Sequence, residues 1–227
     1  VTLDGGNTVT IAAGETDATY TRDPQGDDVF VDGENVTVAL EDAAATDGSA
    51  FENVTLGDAA ETTVIDTIDT VTATLSADSD SVAEGGTVTY TVTLTGPQGA
   101  DLSGHNGLEF RLADGSTVTI AAGELSGSAT VTAADDAFEG GQATLVNSIA
   151  TVENDSDSEF EQLVTAGETS VTVTDEPGTP GNPGDPGDPN GGDAISVSIV
   201  ADQAEFSEAE EQTFTVSLSE AVDRDVT

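Results

Sequence analysis

The chain is 227 residues long and sets 45 Asp and Glu against three Arg and no Lys, a formal net charge of −42. Such a surface repels nucleic acid and anionic membranes, and its self-repulsion opposes compaction unless divalent ions or high salt neutralise part of it. Aromatic residues make up 4% and cysteine is absent, so the cores must be built from Val, Ile, Leu and Ala without disulfide staples.

The missing lysine also excludes Lys-to-Asn isopeptide cross-links, which leaves metal ions as the remaining rigidifier. No run approaches the roughly 18 consecutive apolar residues of a membrane helix, and no signal peptide is visible at Val1. The chain reads as a soluble slice of something longer.

In chain order, residues 1–69 contain "TVTIAAGE" at 8–15, the acid pair Asp27-Asp28 ahead of Phe30 and Gly33, and "FENVT" from Phe51. Residues 70–176 hold the clearest strand signals. "TVTYTVTLT" at 87–95 alternates strictly, with Val88, Tyr90, Val92 and Leu94 on one face and threonines on the other, which is the period of a half-buried strand. Further strands are predicted at 71–77, 108–112, 116–122, 128–133, 143–152 and 169–174, and no helical period competes. About seven short, closely spaced strands predict an immunoglobulin-like β-sandwich.

Residues 177–193 follow as a Pro/Gly-rich linker, with Pro177, Pro180, Pro183, Pro186 and Pro189 at every third position. At about 3.1 Å per residue, a polyproline II spacer of this length reaches about 50 Å. The Gly-X-Pro period also fits a collagen-like triple helix, but four triplets are very short for one, so the semi-rigid spacer is preferred. In the last segment, 194–227, "TFTVSLS" places Phe214, Val216 and Leu218 at the inward positions of a strand.

The units match one another at several anchors. "TVTIAAGE" recurs at 117–124, Asp135-Asp136 with Phe138 and Gly141 repeats Asp27-Asp28 with Phe30 and Gly33, and Phe160-Glu161 repeats Phe51-Glu52. Asp202 and Glu208 correspond to Asp78 and Glu84. Residues 194–227 repeat the opening of the 70–176 unit and residues 1–69 repeat its remainder, so the chain looks like one period of a tandem array. The expected architecture is all-β: tandem immunoglobulin-like β-sandwich modules, abutting directly at 64–73 and spaced by the Pro/Gly linker elsewhere.

Catalysis has little material. His105 is the single histidine, in the Gly-rich loop "LSGHNG", and is expected to be an exposed loop residue. No nucleophile motif, dinucleotide fingerprint, P-loop or zinc signature is present, and among so many acids a carboxylate pair carries no information. The chain is expected not to be an enzyme.

Calcium is better supported, since hard cations take six to eight oxygens from carboxylates, carbonyls and water. One candidate ligand group is Glu84, Asp135, Asp136 and Glu139; its counterpart across the termini is Glu208, Asp27, Asp28 and Asp32. A second lies at the joints, where Asp66, Asp69, Asp175 and Glu176 end units and Asp78, Asp80, Asp193 and Asp202 begin them. Carboxylates facing one another across a hinge repel without a cation and clamp with one. The competing readings are acidic turn residues at a solvated sandwich end, and a halophile-like surface. Asp155 and Asp157 have EF-hand-like spacing without the rest of that motif, and the sequons at Asn35, Asn53 and Asn154 are short patterns expected by chance.

"SVAEGGTVTYTVTL" followed by "TIAAGE" and "TVTAADDAFEGG" resembles Calx-β-like and bacterial adhesin repeats, in which the early Glu and the later acid pair meet at one end of the sandwich. Taken together, the chain resembles extender repeats of the large repeats-in-toxin adhesins exported by type I secretion, including biofilm and ice-binding adhesin stalks. That resemblance implies a secreted or cell-surface protein whose modules fold in external calcium into rods projecting a ligand-binding tip. It also implies that the ultimate ligand is bound elsewhere in the parent protein, and that the partners of this segment are adjacent repeats or copies of itself. The Pro-Gly spacer and the absence of "GGxGxD" repeats depart from that pattern.

The expected function is therefore a calcium-rigidified stalk segment. The alternatives are a self-assembling filament subunit, in which 194–227 of one copy completes 1–69 of the next by strand addition, and a calcium-dependent glycan- or protein-binding module, for which the sequence offers no aromatic cluster.

Overall fold

In the computed structural model, residues 1–23, 25–138, 140, 142–154, 159–175 and 195–227 are described. Glu139, Glu176, Asp193, the 155–157 acids and the linker 177–193 lie outside them. The fold is all-β, a sandwich of two packed sheets flanked by smaller strand pairs.

The first four strands are short: β1 (Thr2–Leu3), β2 (Asn35–Val38), β3 (Leu40–Asp42) and β4 (Ala60–Thr63). They form two antiparallel pairs, β1 with β3 and β2 with β4. The sandwich follows, with β5 (Thr70–Ala77), β6 (Ser81–Ala83), β7 (Thr87–Thr95), β8 (Leu108–Leu112), β9 (Thr117–Ile120), β10 (Ser126–Thr132), β11 (Leu145–Val152), β12 (Gln162–Ala166) and β13 (Glu168–Thr174). One sheet runs β10-β7-β5-β12 and the other β6-β13-β11-β8-β9. A separate antiparallel hairpin of β14 (Val197–Ala201) and β15 (Phe214–Leu218) completes the described chain.

Alternation in sequence becomes alternation in burial. Along β7, Val88, Tyr90, Val92 and Leu94 are buried while the threonines between them are half-buried or exposed. They meet Val71, Ala73 and Leu75 of β5 and, from the facing sheet, Leu108, Phe110, Leu112, Val118, Ile120 and Val171. Each such side chain contributes about 1.5–3 kcal/mol of transfer free energy. Among the described residues of the core cluster, Tyr90 is the one large side chain with a polar end. Burial pushes its phenol above the ordinary range, and the Asp114 carboxylate adds to the shift.

One short strand, β12, escapes the alternation rule. β12 pairs in parallel with β5 in one sheet, and one residue later β13 pairs in parallel with β6 in the other. Gly167 makes the crossing: its φ is +89°, and a Cβ there would run into the Leu75 backbone carbonyl. A strand that changes sheets at a glycine reads as two fragments, only the longer of which, 169–174, has a recognisable pattern.

Candidate functional site

The acids singled out by the sequence gather mainly at two places, and the same local wiring builds both. In the sandwich, Asp136 Oδ1 accepts the Phe138 N–H at 2.8 Å and Asp175 Oδ1 accepts the Gly140 N–H at 2.8 Å. In the N-terminal segment, Asp28 Oδ1 accepts the Phe30 N–H at 2.7 Å and Asp66 Oδ2 accepts the Asp32 N–H at 3.2 Å. An acid two residues before a Phe turns the loop, and an acid from the end of the unit holds its far side.

At the sandwich end, the turn after β6 brings Glu84 into the group. Its side chain is 5% exposed, its backbone N–H donates to the Thr174 carbonyl at 2.8 Å, and Oε2 accepts the Asp136 N–H at 3.3 Å. The Gln142 amide donates both to Glu84 Oε2 at 3.0 Å and to Asp136 Oδ2 at 2.7 Å, so two carboxylates converge on one donor. Gly85, with φ +67°, lets the turn approach Asp135, whose carboxylate carbon lies 3.6 Å from where a Cβ would stand. The donor set is all oxygen, in keeping with a hard cation. Among the described residues, however, no group of three or more Asp, Glu or His side chains is arranged around a common metal position.

At the other place, Asp27, Asp28, Asp32 and Asp66 line a cleft of about 190 Å³ together with Glu161 of the sandwich. Thr67 Oγ1 donates to Asp27 Oδ1 at 2.5 Å, and the Asp69 N–H donates to Glu161 Oε2 at 2.5 Å. Glu161 is a member that sequence reasoning missed.

Asp78 and Glu208 are placed elsewhere. Asp78 Oδ1 accepts the Thr89 N–H across its own hairpin at 3.0 Å, which is strand-closing work. Glu208 sits exposed in the β14–β15 turn and is not among the residues lining the Asp27 cleft.

Beside the acidic cleft lies a joint that is apolar. Val29 and Phe30, in the loop opened by Asp28, enter the sandwich end: Val29 is fully buried in the core cluster, and Phe30 stacks on Phe160 with ring centroids 5.1 Å apart and planes at 22°. Backbone bonds flank the stack, from Val31 N–H to the Glu159 carbonyl at 2.7 Å and from Glu161 N–H to the Val29 carbonyl at 2.9 Å. The socket is shaped for the ring, since a Cβ on Gly104 would stand 2.8 Å from Phe30.

His105 belongs to this socket and corrects the expectation of an exposed loop residue. It is 2% exposed, and its ring lies 5.9 Å from that of Phe160. Nδ1 accepts the Gly107 N–H at 3.0 Å, which assigns the proton to Nε2, placed 2.8 Å from the Glu124 carbonyl. Both ring nitrogens are used, one within the loop and one on the turn after β9, so the histidine braces the socket.

Repeated acid-wired turns, each carrying a Phe, and an apolar plug between units mark the chain as a repeat-built all-β protein. The LapA domain family matches residues 1–67 and again 69–176. The chain belongs to this family, which is related to large adhesins. No curated protein sequence matches it. No helix among the described residues is long and apolar enough to cross a membrane.

Proposed function

We propose that the chain is an extender segment of a large bacterial surface adhesin of the repeats-in-toxin kind, holding a binding tip away from the cell and carrying no catalysis of its own. The observation that carries this reading is the Val29–Phe30 plug. A flexible tether needs only a covalent connection between units, whereas here a loop of one unit is buried in the core of the next and tied on both sides by backbone hydrogen bonds. Membership of an adhesin-related family supports a place at the cell surface or outside the cell.

In this reading calcium is the second stiffening agent. Glu84, Asp135, Asp136 and Asp175 at one end, and Asp27, Asp28, Asp32 and Asp66 with Glu161 at the other, are the residues that would hold it. Bound cation offsets the mutual repulsion of carboxylates that flank a joint. A site with free calcium at about 100 Kd adds about 2.7 kcal/mol to folding stability. Small-angle scattering of the 1–227 chain in calcium and in excess EDTA tests the proposal. Extension that is greatest in calcium and reduced by Phe30→Ala supports it; a flexible-chain profile in both buffers overturns it.

A further inference from the structure

The sequence contains two Asn-Gly steps, Asn106-Gly107 and Asn190-Gly191. Asparagine is a chemically labile side chain, and most so before glycine, where no Cβ shields the following backbone nitrogen from the carboxamide carbon. Of the two steps, Asn106-Gly107 directly follows the single histidine of the chain.

The Gly107 peptide unit is held on both sides. Its N–H donates to His105 Nδ1 at 3.0 Å, and its carbonyl accepts the Asn154 amide at 3.2 Å. Asn154 is itself fixed, since its Oδ1 accepts the Glu109 N–H at 2.7 Å. Glycine is required at 107: its φ is +104°, and a Cβ would stand 3.3 Å from the Ile120 carbonyl oxygen. With the imidazole proton on Nε2, directed to the Glu124 carbonyl at 2.8 Å, the Nδ1 lone pair faces the Gly107 N–H. Exposure is divided to match, because the imidazole is buried whereas Asn106 beside it is open to water.

We propose that Asn106 is a self-modifying site, at which His105 is the general base that activates the Gly107 nitrogen against the Asn106 carboxamide. Nδ1 takes the Gly107 amide proton as that nitrogen bonds to Asn106 Cγ. The proton then passes to the carboxamide nitrogen, the Cγ–N bond breaks, and ammonia leaves. A succinimide ring remains, and water opens it at either carbonyl to give an aspartyl or an isoaspartyl residue. No oxidant or reductant is consumed, and the imidazole returns to its starting form. The reaction is a single turnover on the chain itself, so it stands beside the non-enzymatic reading and does not depend on the stalk.

A base placed within hydrogen-bond reach of the proton it takes contributes about 10²–10⁴-fold. The competing base is hydroxide, which a chain of formal charge −42 repels. An internal base therefore counts for more here than in a neutral protein. The product also matters mechanically. An isoaspartyl link adds one carbon to the backbone between 106 and 107, which carries the Gly107 N–H away from Nδ1. The His105 ring packs beside Phe160, on which Phe30 stacks, so the reaction loosens the socket from beneath and gives the joint a finite lifetime.

The Asn190-Gly191 step supplies an internal reference, since no histidine lies near it in sequence. The unsubstituted 1–227 chain is incubated at neutral pH, folded and in urea, and peptide mapping by mass spectrometry follows amide-to-acid conversion at both asparagines. In the folded chain Asn106 should convert at least about tenfold faster than Asn190, and in urea the two should convert alike. Asn106 level with or slower than Asn190 in the folded chain overturns the proposal.

His105→Gln separates a base from a brace. Loss of the base should slow Asn106 at least about tenfold and leave Asn190 unchanged. If His105 only braces the loop, its removal frees the backbone to reach the cyclising geometry, and Asn106 converts faster. A faster or unchanged Asn106 in this variant therefore also overturns the proposal. Should the variant fail to fold, the comparison of folded and urea-treated parent chain decides on its own.

Discussion

Phe30, in a loop between strands of the N-terminal segment, stacks on Phe160, just ahead of β12 in the sandwich, at 5.1 Å between ring centroids. The contact joins two units that are also linked covalently at 64–73, so it fixes their relation instead of creating it. Replacing Phe30 by Ala removes the stack and part of the plug. Because the ring is only partly buried, the expected loss is about 2 kcal/mol, below the range for fully buried Phe. Denaturant unfolding should show that loss, and scattering should show a less extended particle.

Gly104 tests the socket without touching the plug. A Cβ there stands 2.8 Å from the Phe30 ring, so Gly104→Val forces the ring outward and should destabilise by about 1–3 kcal/mol through overpacking. The Phe30→Ala, Gly104→Val double variant should lose less than the sum of the two, since the smaller residue leaves room for the larger. Strict additivity would show that the two positions do not meet.

Glu84→Gln separates calcium binding from simple charge crowding. In EDTA the variant should match or exceed the parent in melting temperature, because one negative charge leaves a group that also holds Asp135 and Asp136. In millimolar calcium it should fall below the parent, having lost a ligand. Calorimetry in the two buffers checks the crossing, and parallel behaviour in both would mean that Glu84 holds no cation.

Salt acts on the whole charge. With a formal charge of −42 spread over 227 residues, shortening the Debye length from about 10 Å at 0.1 M to about 3 Å at 1 M relieves self-repulsion. Melting temperature in EDTA should rise steadily with NaCl over that interval. A flat response would place the acids too far apart to matter energetically.

Tyr90 sets an alkaline limit. Its folded pKa is raised above the unfolded value of 10.0, chiefly by burial. The protonated form is therefore favoured in the folded state, and this contribution is fully present below pH 10.0. It is lost as pH climbs from there through the folded value, because the unfolded chain releases the proton first. Tyr90→Phe should lessen the fall in stability above about pH 10, measured by thermal melts from pH 8 upward.

The sandwich was legible because β7, β8 and β13 keep a two-residue period over a buried face, which composition alone cannot mimic. β12 was not, since five residues with Gly167 at their end carry too little pattern and belong to a strand that changes sheets. The wiring of Asp28, Asp66, Asp136 and Asp175 was foreshadowed by internal repetition, which places like acids at like turns. The position of Asp78 near the start of a unit says nothing of which way its carboxylate turns, and it turns to Thr89. The plug left a quiet trace, Val29 and Phe30 set inside a run of acids, and the same trace recurs as Ala137 and Phe138. His105 looked exposed because glycine-rich loops usually are. What a linear reading misses is that Val29 and Phe30 cover that loop from the neighbouring unit.

The two parallel pairings, β5 with β12 and β6 with β13, bear on how the sandwich meets mechanical load. Tension applied through Thr70 at the head of β5 and Thr174 at the tail of β13 pulls along those ladders, so neighbouring strands are dragged past each other lengthwise. The five residue pairs of the first ladder and the three of the second resist together instead of peeling open one by one. A unit clamped in shear yields late and abruptly.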